Sequence, residues 1–192
     1  FELNKDLTVD VEKFKDALND RVKIVSLAHV TNVVGDIRPI KEIAKAAHEV
    51  GAFVFVDAAQ SIAHVETDVK DMDVDFLFFS GHKAYGPTGI GVLFGKYELL
   101  EKLDVTLVGG GMNQSFDACA MVVKAPPYRF EAGTPNIAGA IGLGEAIKFI
   151  QRYGVKNIAD HEYELKKYCV DQMAKNPNIT LYNRYTHSGI VS

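Results

Sequence analysis

RVKIVSLAHVTNVVGDIRPIKEIAKAAHEVGAFVFVDAAQS, residues 21–61, passes from one apolar pattern to another and back. Arg21 to Val30 is an apolar, β-branched run that reads as a buried strand. A turn from Thr31 to Asp36 follows, and Pro39 sits where a first helical turn tolerates it. Ile40, Ile43, Ala44, Ala47 and Val50 then recur at helical spacing, and Gly51 takes a C′-like position after them. Phe53 to Asp57 is a second strand. Strand, helix and strand joined by short connections make a βαβ unit, which places the two strands parallel in one sheet. Strands this continuously apolar predict a sheet covered on both faces.

Outward from this unit, Val11, Phe14 and Leu18 predict a short amphipathic helix over Val11 to Asn19. Phe76 to Ser80 and Ile90 to Phe94 read as a third and fourth strand. Ile137, Ala140, Ile141, Gly144, Ile147 and Ile150 form a helical stripe closed by Gly154. Ile158, Leu165, Cys169 and Met173 predict another long helix. After Asn176-Pro177-Asn178 two short strands are expected, Ile179 to Tyr182 and Gly189 to Val191. The expected fold class is α/β, a mostly parallel sheet with helices on both faces. Residues 1–175 would form its core, and residues 176–192 the start of a small α+β C-terminal domain.

The 192 residues are 47% hydrophobic and 24% charged, a globular composition that excludes disorder. Apolar runs are strand-sized, so no transmembrane helix is expected and the membrane is not a partner. With 21 Lys+Arg against 25 Asp+Glu, nucleic acid is not an expected partner either. No secretory leader pattern is present, and two cysteines, Cys119 and Cys169, cannot build a disulfide framework, so the expected location is cytoplasmic. No C-x-x-C or His-rich spacing suggests a metal site. No G-x-G-x-x-G or P-loop suggests a dinucleotide or nucleoside triphosphate.

The polar residues gather where the strands end. The first strand ends at Ala28-His29 and leads to Thr31-Asn32, the second at Asp57-Ala58-Ala59-Gln60-Ser61, the third at Ser80-Gly81-His82-Lys83. Ligands of open α/β sheets bind outside the carboxyl ends of the strands, so these groups converge on one candidate site. Lys83, after an apolar strand and small residues, suits Schiff-base formation with an aldehyde. Asp57 at a strand end needs a cationic partner, which the protonated pyridine of pyridoxal 5′-phosphate (PLP) provides. His29 has a ring able to stack on that pyridine, Gln60 can donate to its phenolate oxygen, and Ser80 and His82 can donate to its phosphate. Taken singly, each has an ordinary reading: a solvated loop lysine, a helix cap at Asp57, a core histidine. His48, His64 and His161 read as surface residues without partners.

FFSGHKAYGPTGIGVLFGK, Phe78 to Lys96, resembles the cofactor-lysine motif of cysteine desulfurases, within the class-V aminotransferase family of fold-type-I PLP enzymes. AHVTNVVGDIRPIKEIAKAAHEVGAFVFVDAAQS resembles the block before it, and VGGGMN with PPYRFEAGTPN the block after it. The four blocks stand in the family's order over roughly residues 20–155, and GGGM, RFEAGTPN and GHK are similar to the SufS/CsdA-like group. The resemblance implies Lys83 as the cofactor lysine and proton carrier, Asp57 on the pyridine nitrogen, His29 on the ring and as acid/base, and Gln60 on the phenolate oxygen. It further implies Ser80 and His82 on the phosphate, Asn32 in the same pocket, and Thr134 reaching the phosphate of the other subunit of a homodimer. The loop Gly109 to Gly111 would line that dimeric site.

The activity so implied turns L-cysteine into L-alanine and leaves sulfur on an enzyme cysteine, for a sulfur-acceptor protein of iron–sulfur cluster assembly. By the same resemblance that cysteine lies in the family's C-terminal part, and neither Cys119 nor Cys169 matches it. The chain reads as an internal piece of a longer enzyme, inactive alone. Two other readings stay open: a selenocysteine lyase or other member of the family, and a non-catalytic α/β domain.

Overall fold

A computed structural model describes residues 2–116, 121–182, 184 and 186–192. The elements in order are α1 (Val11–Ala17), β1 (Ile24–Ala28), α2 (Ile40–Glu49), β2 (Phe53–Asp57), β3 (Phe76–Ser80), β4 (Gly91–Gly95), α3 (Tyr97–Leu100), β5 (Asn113–Phe116), β6 (Met121–Val123), α4 (Ile137–Tyr153) and α5 (Val155–Met173). Asp10 caps α1 by accepting from the amides of Glu12 and Lys13, and Asn136 caps α4 by accepting from Gly139.

The main sheet has the order β1-β2-β3-β4. β1, β2 and β3 are parallel, and β4 runs antiparallel to β3. The α/β class with a mostly parallel sheet is thus as the sequence predicts. Register puts Val25 and Leu27, Val54 and Val56, and Leu77 and Phe79 on one face. That face meets Ile43, Ala44 and Ala47 of α2 and Phe14 of α1. Burying a side chain the size of Ile43 or Val54 contributes about 1.5–3 kcal/mol. A smaller cluster of Ala63, Ala84 and Ile150 joins α4 and α5 to the same side through Ile62 and Phe79.

The other face is covered less. Leu100 of α3 meets Gly95 and the buried Phe76 there, while Ile24, Phe53, Phe78 and Leu93 on that face remain 38% to 59% exposed.

The two C-terminal strands expected at Ile179–Tyr182 and Gly189–Val191 do not form. β-Branched composition needs a ladder to become a strand, and these residues form none, although the Tyr182 amide donates to the Ser192 carbonyl at 2.9 Å. The last residues instead pack back on the core, where Ser188 and Ile190 meet Gly35 and Gly189 meets Glu162. Gly35 has φ +67, and a Cβ there would overlap the Ser188 hydroxyl and lie 3.0 Å from the Ile190 Cβ. Gly35→Ala is therefore expected to destabilise the chain by about 1–2 kcal/mol from left-handed strain alone, read as a lower midpoint in urea unfolding.

Candidate active site

Ala28, Asp57 and Phe78 are in register across β1, β2 and β3, so three strand ends lie side by side. Adjacent strands are about 4.8 Å apart, which brings the loops after them into one cluster. Asp57 and Ser80 share the sheet face of Phe53 and Phe78, since Ser80 is two residues beyond Phe78. β3 then tightens into a 3₁₀ turn, Gly81–Lys83, closed by bonds from the amides of Ala84 and Gly86 to the Gly81 carbonyl, both 2.9 Å. Gly86 has to be small, for a Cβ there would stand 2.8 Å from that same carbonyl oxygen.

The polar groups at this end are largely unspent. One Asp57 oxygen accepts from the Ala59 amide at 2.8 Å, which makes the residue a turn former rather than the cap of a helix. Its second oxygen, the Gln60 amide, the Ser80 hydroxyl and the Lys83 ammonium, all on half-buried residues, have no hydrogen-bond or ion-pair partner among the described residues. His82 and Asn32 are exposed in the same group of loops. A half-buried set of one carboxylate oxygen, one amide, one hydroxyl and one ammonium without internal partners suits an external ligand that carries both charges.

His29 directly follows β1, and its ring is 5% exposed beside a concavity that Pro39, Ile40 and Met72 also line. Its Nδ1 is buried without a hydrogen-bond partner among the described residues, and burial pushes the imidazole pKa down. Its backbone amide donates to the Asp57 carbonyl at 2.8 Å.

Thr134 lies in the exposed loop before α4. That loop meets the glycine-rich one: the Gly133 amide donates to the Gly110 carbonyl at 2.9 Å, and a Cβ on Gly109 would crowd Gly133 and Ala132. Two histidines expected to be unpaired have partners. His48 bonds Asp75 at 2.9 Å, and His64 bonds Glu162 at 2.9 Å. Glu162 is 98 residues from His64, a separation at which helical or strand spacing carries no signal. Cys119 falls outside the described residues, and Cys169 is half-buried on α5 with its thiol 3.8 Å from the Met173 sulfur.

The chain matches the aminotransferase class-V family across residues 1–192. It belongs to that family. A probable cysteine desulfurase of Halalkalibacterium halodurans is 44% identical over 190 residues, covering 99% of the chain and 47% of that relative. A cysteine desulfurase of Escherichia coli is 40% identical over 192 residues, with the same coverages. The E. coli cysteine desulfurase CsdA superposes with a TM-score of 0.93 at 37% identity, over 98% of this chain and 47% of that one. The apo cysteine desulfurase of Thermococcus onnurineus gives 0.90 at 37% identity, over 100% and 48%. The chain thus spans about half the length of these relatives.

The family is PLP-dependent, and the strand-end set fits that cofactor. Lys83 is an amine without a carboxylate partner, the free Asp57 oxygen can hold a protonated ring nitrogen, and the Ser80 hydroxyl and His82 are available to a phosphate. Among the described residues, no helix is long and apolar enough to cross a membrane, and no three His, Cys, Asp or Glu side chains form a group able to hold a metal ion.

Proposed function

We propose that this chain carries the cofactor-lysine half of a cysteine desulfurase, which converts L-cysteine to L-alanine and passes sulfur to an enzyme cysteine as a persulfide. The sulfur then goes to an acceptor protein of iron–sulfur cluster assembly, in the cytoplasm. One observation carries the reading. Lys83, Gln60, Ser80 and the free oxygen of Asp57 gather without internal partners at one sheet end, in a chain 40% to 44% identical to proteins named as cysteine desulfurases.

Bound PLP supplies the electron sink for charge developing at the substrate's α-carbon. Asp57 would hold the protonated ring nitrogen. Lys83 would hold the cofactor's aldehyde carbon and move the proton at the substrate's α-carbon. Gln60 donates to the phenolate oxygen, Ser80 and His82 donate to the phosphate, and Asn32 lines the pocket. In a homodimer, Thr134 reaches the phosphate held by the partner subunit. Sulfur leaves the substrate as the Cβ–S bond breaks, the acceptor thiolate takes it, and the product carbon is protonated to give alanine.

Cys169, on the α5 surface beside Met173, has no place in that transfer. The 192 residues alone are therefore expected to release no alanine from L-cysteine. A polypeptide joining this chain to the remaining residues its relatives carry should release alanine and, with a thiol reductant, sulfide in equal amounts. Pyruvate and ammonia with sulfide, instead of alanine, would redirect the assignment to a β-eliminating member of the family, and a sulfur-bearing keto acid to a transaminating one. Turnover of selenocysteine but not cysteine would redirect it to a selenocysteine lyase.

A further inference from the structure

The loops that carry Asp57 and Lys83 each continue for a few residues before leaving the sheet end, and both continuations run to the same place. After Gln60, the chain turns through Ile62 and Ala63 to His64, whose Nδ1 contacts both Glu162 oxygens, at 2.9 and 3.0 Å. After Lys83, it passes Ala84 to Tyr85, whose ring is tilted against Phe149 with centroids 5.4 Å apart and against His64 at 6.2 Å. Phe149 in turn packs on Tyr153 at 4.7 Å. Beneath these contacts Ala63, Ala84 and Ile150 bury together, with Val155 and Ile158 packed against them. Leu143 reaches Gly86, and the Asn136 side chain donates to the Gly89 carbonyl at 3.1 Å. The elbow of α4 and α5 is thus the shared anchor of both loops.

Tyr85 also holds a backbone conformation that aromatic residues rarely adopt, with φ 59. A bulky residue stays in the left-handed region only where its surroundings over-determine it, and such residues concentrate at functional sites. Here the conformation lies two residues beyond Lys83, inside the turn closed on the Gly81 carbonyl, so it fixes the direction in which that turn presents the lysine. The ring against Phe149 and His64 opposes relaxation of the turn. Burial and the nearby Glu162 carboxylate both raise the phenol pKa, which keeps Tyr85 uncharged beside that carboxylate.

We propose that Tyr85 and His64 are positioning residues that clamp the Lys83 and Asp57 loops onto the α4–α5 elbow, through Phe149 and Glu162 respectively. The clamp sets how the two loops face each other rather than touching any ligand. It rests on the reading of Lys83 as the cofactor lysine, and the two are separable by experiment.

The test uses the chain with PLP as probe. Its readouts are the rate of forming the borohydride-trapped adduct, mapped by peptide mass, and amide exchange of residues 81–86 without cofactor. Tyr85→Gly accepts the backbone angle but lacks the ring, and Glu162→Gln keeps shape but loses charge. Each is expected to slow adduct formation at least about tenfold and to speed exchange in 81–86, with far-UV circular dichroism preserved. Tyr85→Phe, which keeps the ring, is expected to restore both. If Tyr85→Gly does not fold, Glu162→Gln and His64→Asn carry the test. Adduct rates and exchange within twofold of the original chain in the folded variants would overturn the clamp while leaving Lys83 as the modified residue. An adduct on a residue other than Lys83 would overturn both readings.

Discussion

Lys83→Ala removes the visible absorbance that PLP acquires on mixing with the chain and reduces trapped adduct to the background of surface lysines. Carbonyl addition needs a free amine, and three of the competing lysines are held more firmly as ammonium by carboxylates. Lys15 sits between Glu12 and Glu42, and those two bonds raise its pKa. Lys156 is raised in the same way by Asp160. For Lys96, burial alone would lower the value, but bonds to Asp73 and Asp75 outweigh it and the net shift is upward. The serious rival is Lys166 on α5, 3% exposed, where burial lowers the ammonium pKa. Its Nζ is spent on the carbonyl and hydroxyl of Thr186, at 2.7 and 2.6 Å. Lys166→Ala is therefore expected to leave the adduct unchanged. Absorbance spectra of the two variants over a PLP titration check the pair.

Asp75→Ala is expected to cost about 3 kcal/mol, the low end for breaking a buried ion pair because its partners are partly exposed. Asp75 is 4% exposed at the edge of the sheet opposite the candidate site. One oxygen accepts from the Val54 amide at 2.8 Å and from His48 at 2.9 Å, and the other pairs with Lys96 at 2.9 Å. Alanine would leave a buried amide and an ammonium without their acceptor. Desolvation by itself would raise the Asp75 pKa, but Lys96, the Val54 amide and His48 together hold it below the ordinary carboxylate value. A carboxyl depressed on folding contributes stability that is present above its unfolded pKa, about 3.9. That contribution fades as pH falls through the lower folded value. Urea unfolding at pH 7 and at pH 3 should show the gap between the original chain and Asp75→Ala narrowing at the lower pH.

The βαβ unit was legible because Ile40, Ile43, Ala44 and Ala47 mark one helical face between two β-branched runs, and all four are buried against the sheet. The strand-end cluster was legible because parallel strands put their carboxyl ends on one edge. The direction of β4 followed from a length the sequence does show. Ten residues separate β3 from β4, too few for the crossover that a parallel partner needs. His64 and Tyr85 escaped because their partners, Glu162 and Phe149, are remote in sequence. The terminal strands failed because β-propensity over a few residues does not by itself fix a ladder.

The central claim is that Lys83 is the cofactor lysine of a class-V aminotransferase site. Its most direct test is reduction of the PLP-treated chain with borohydride, followed by peptide mapping. The account predicts one stoichiometric phosphopyridoxyl group on the peptide containing Ser80 to Lys83. The same group spread over many lysines, or placed on Lys166, would contradict it.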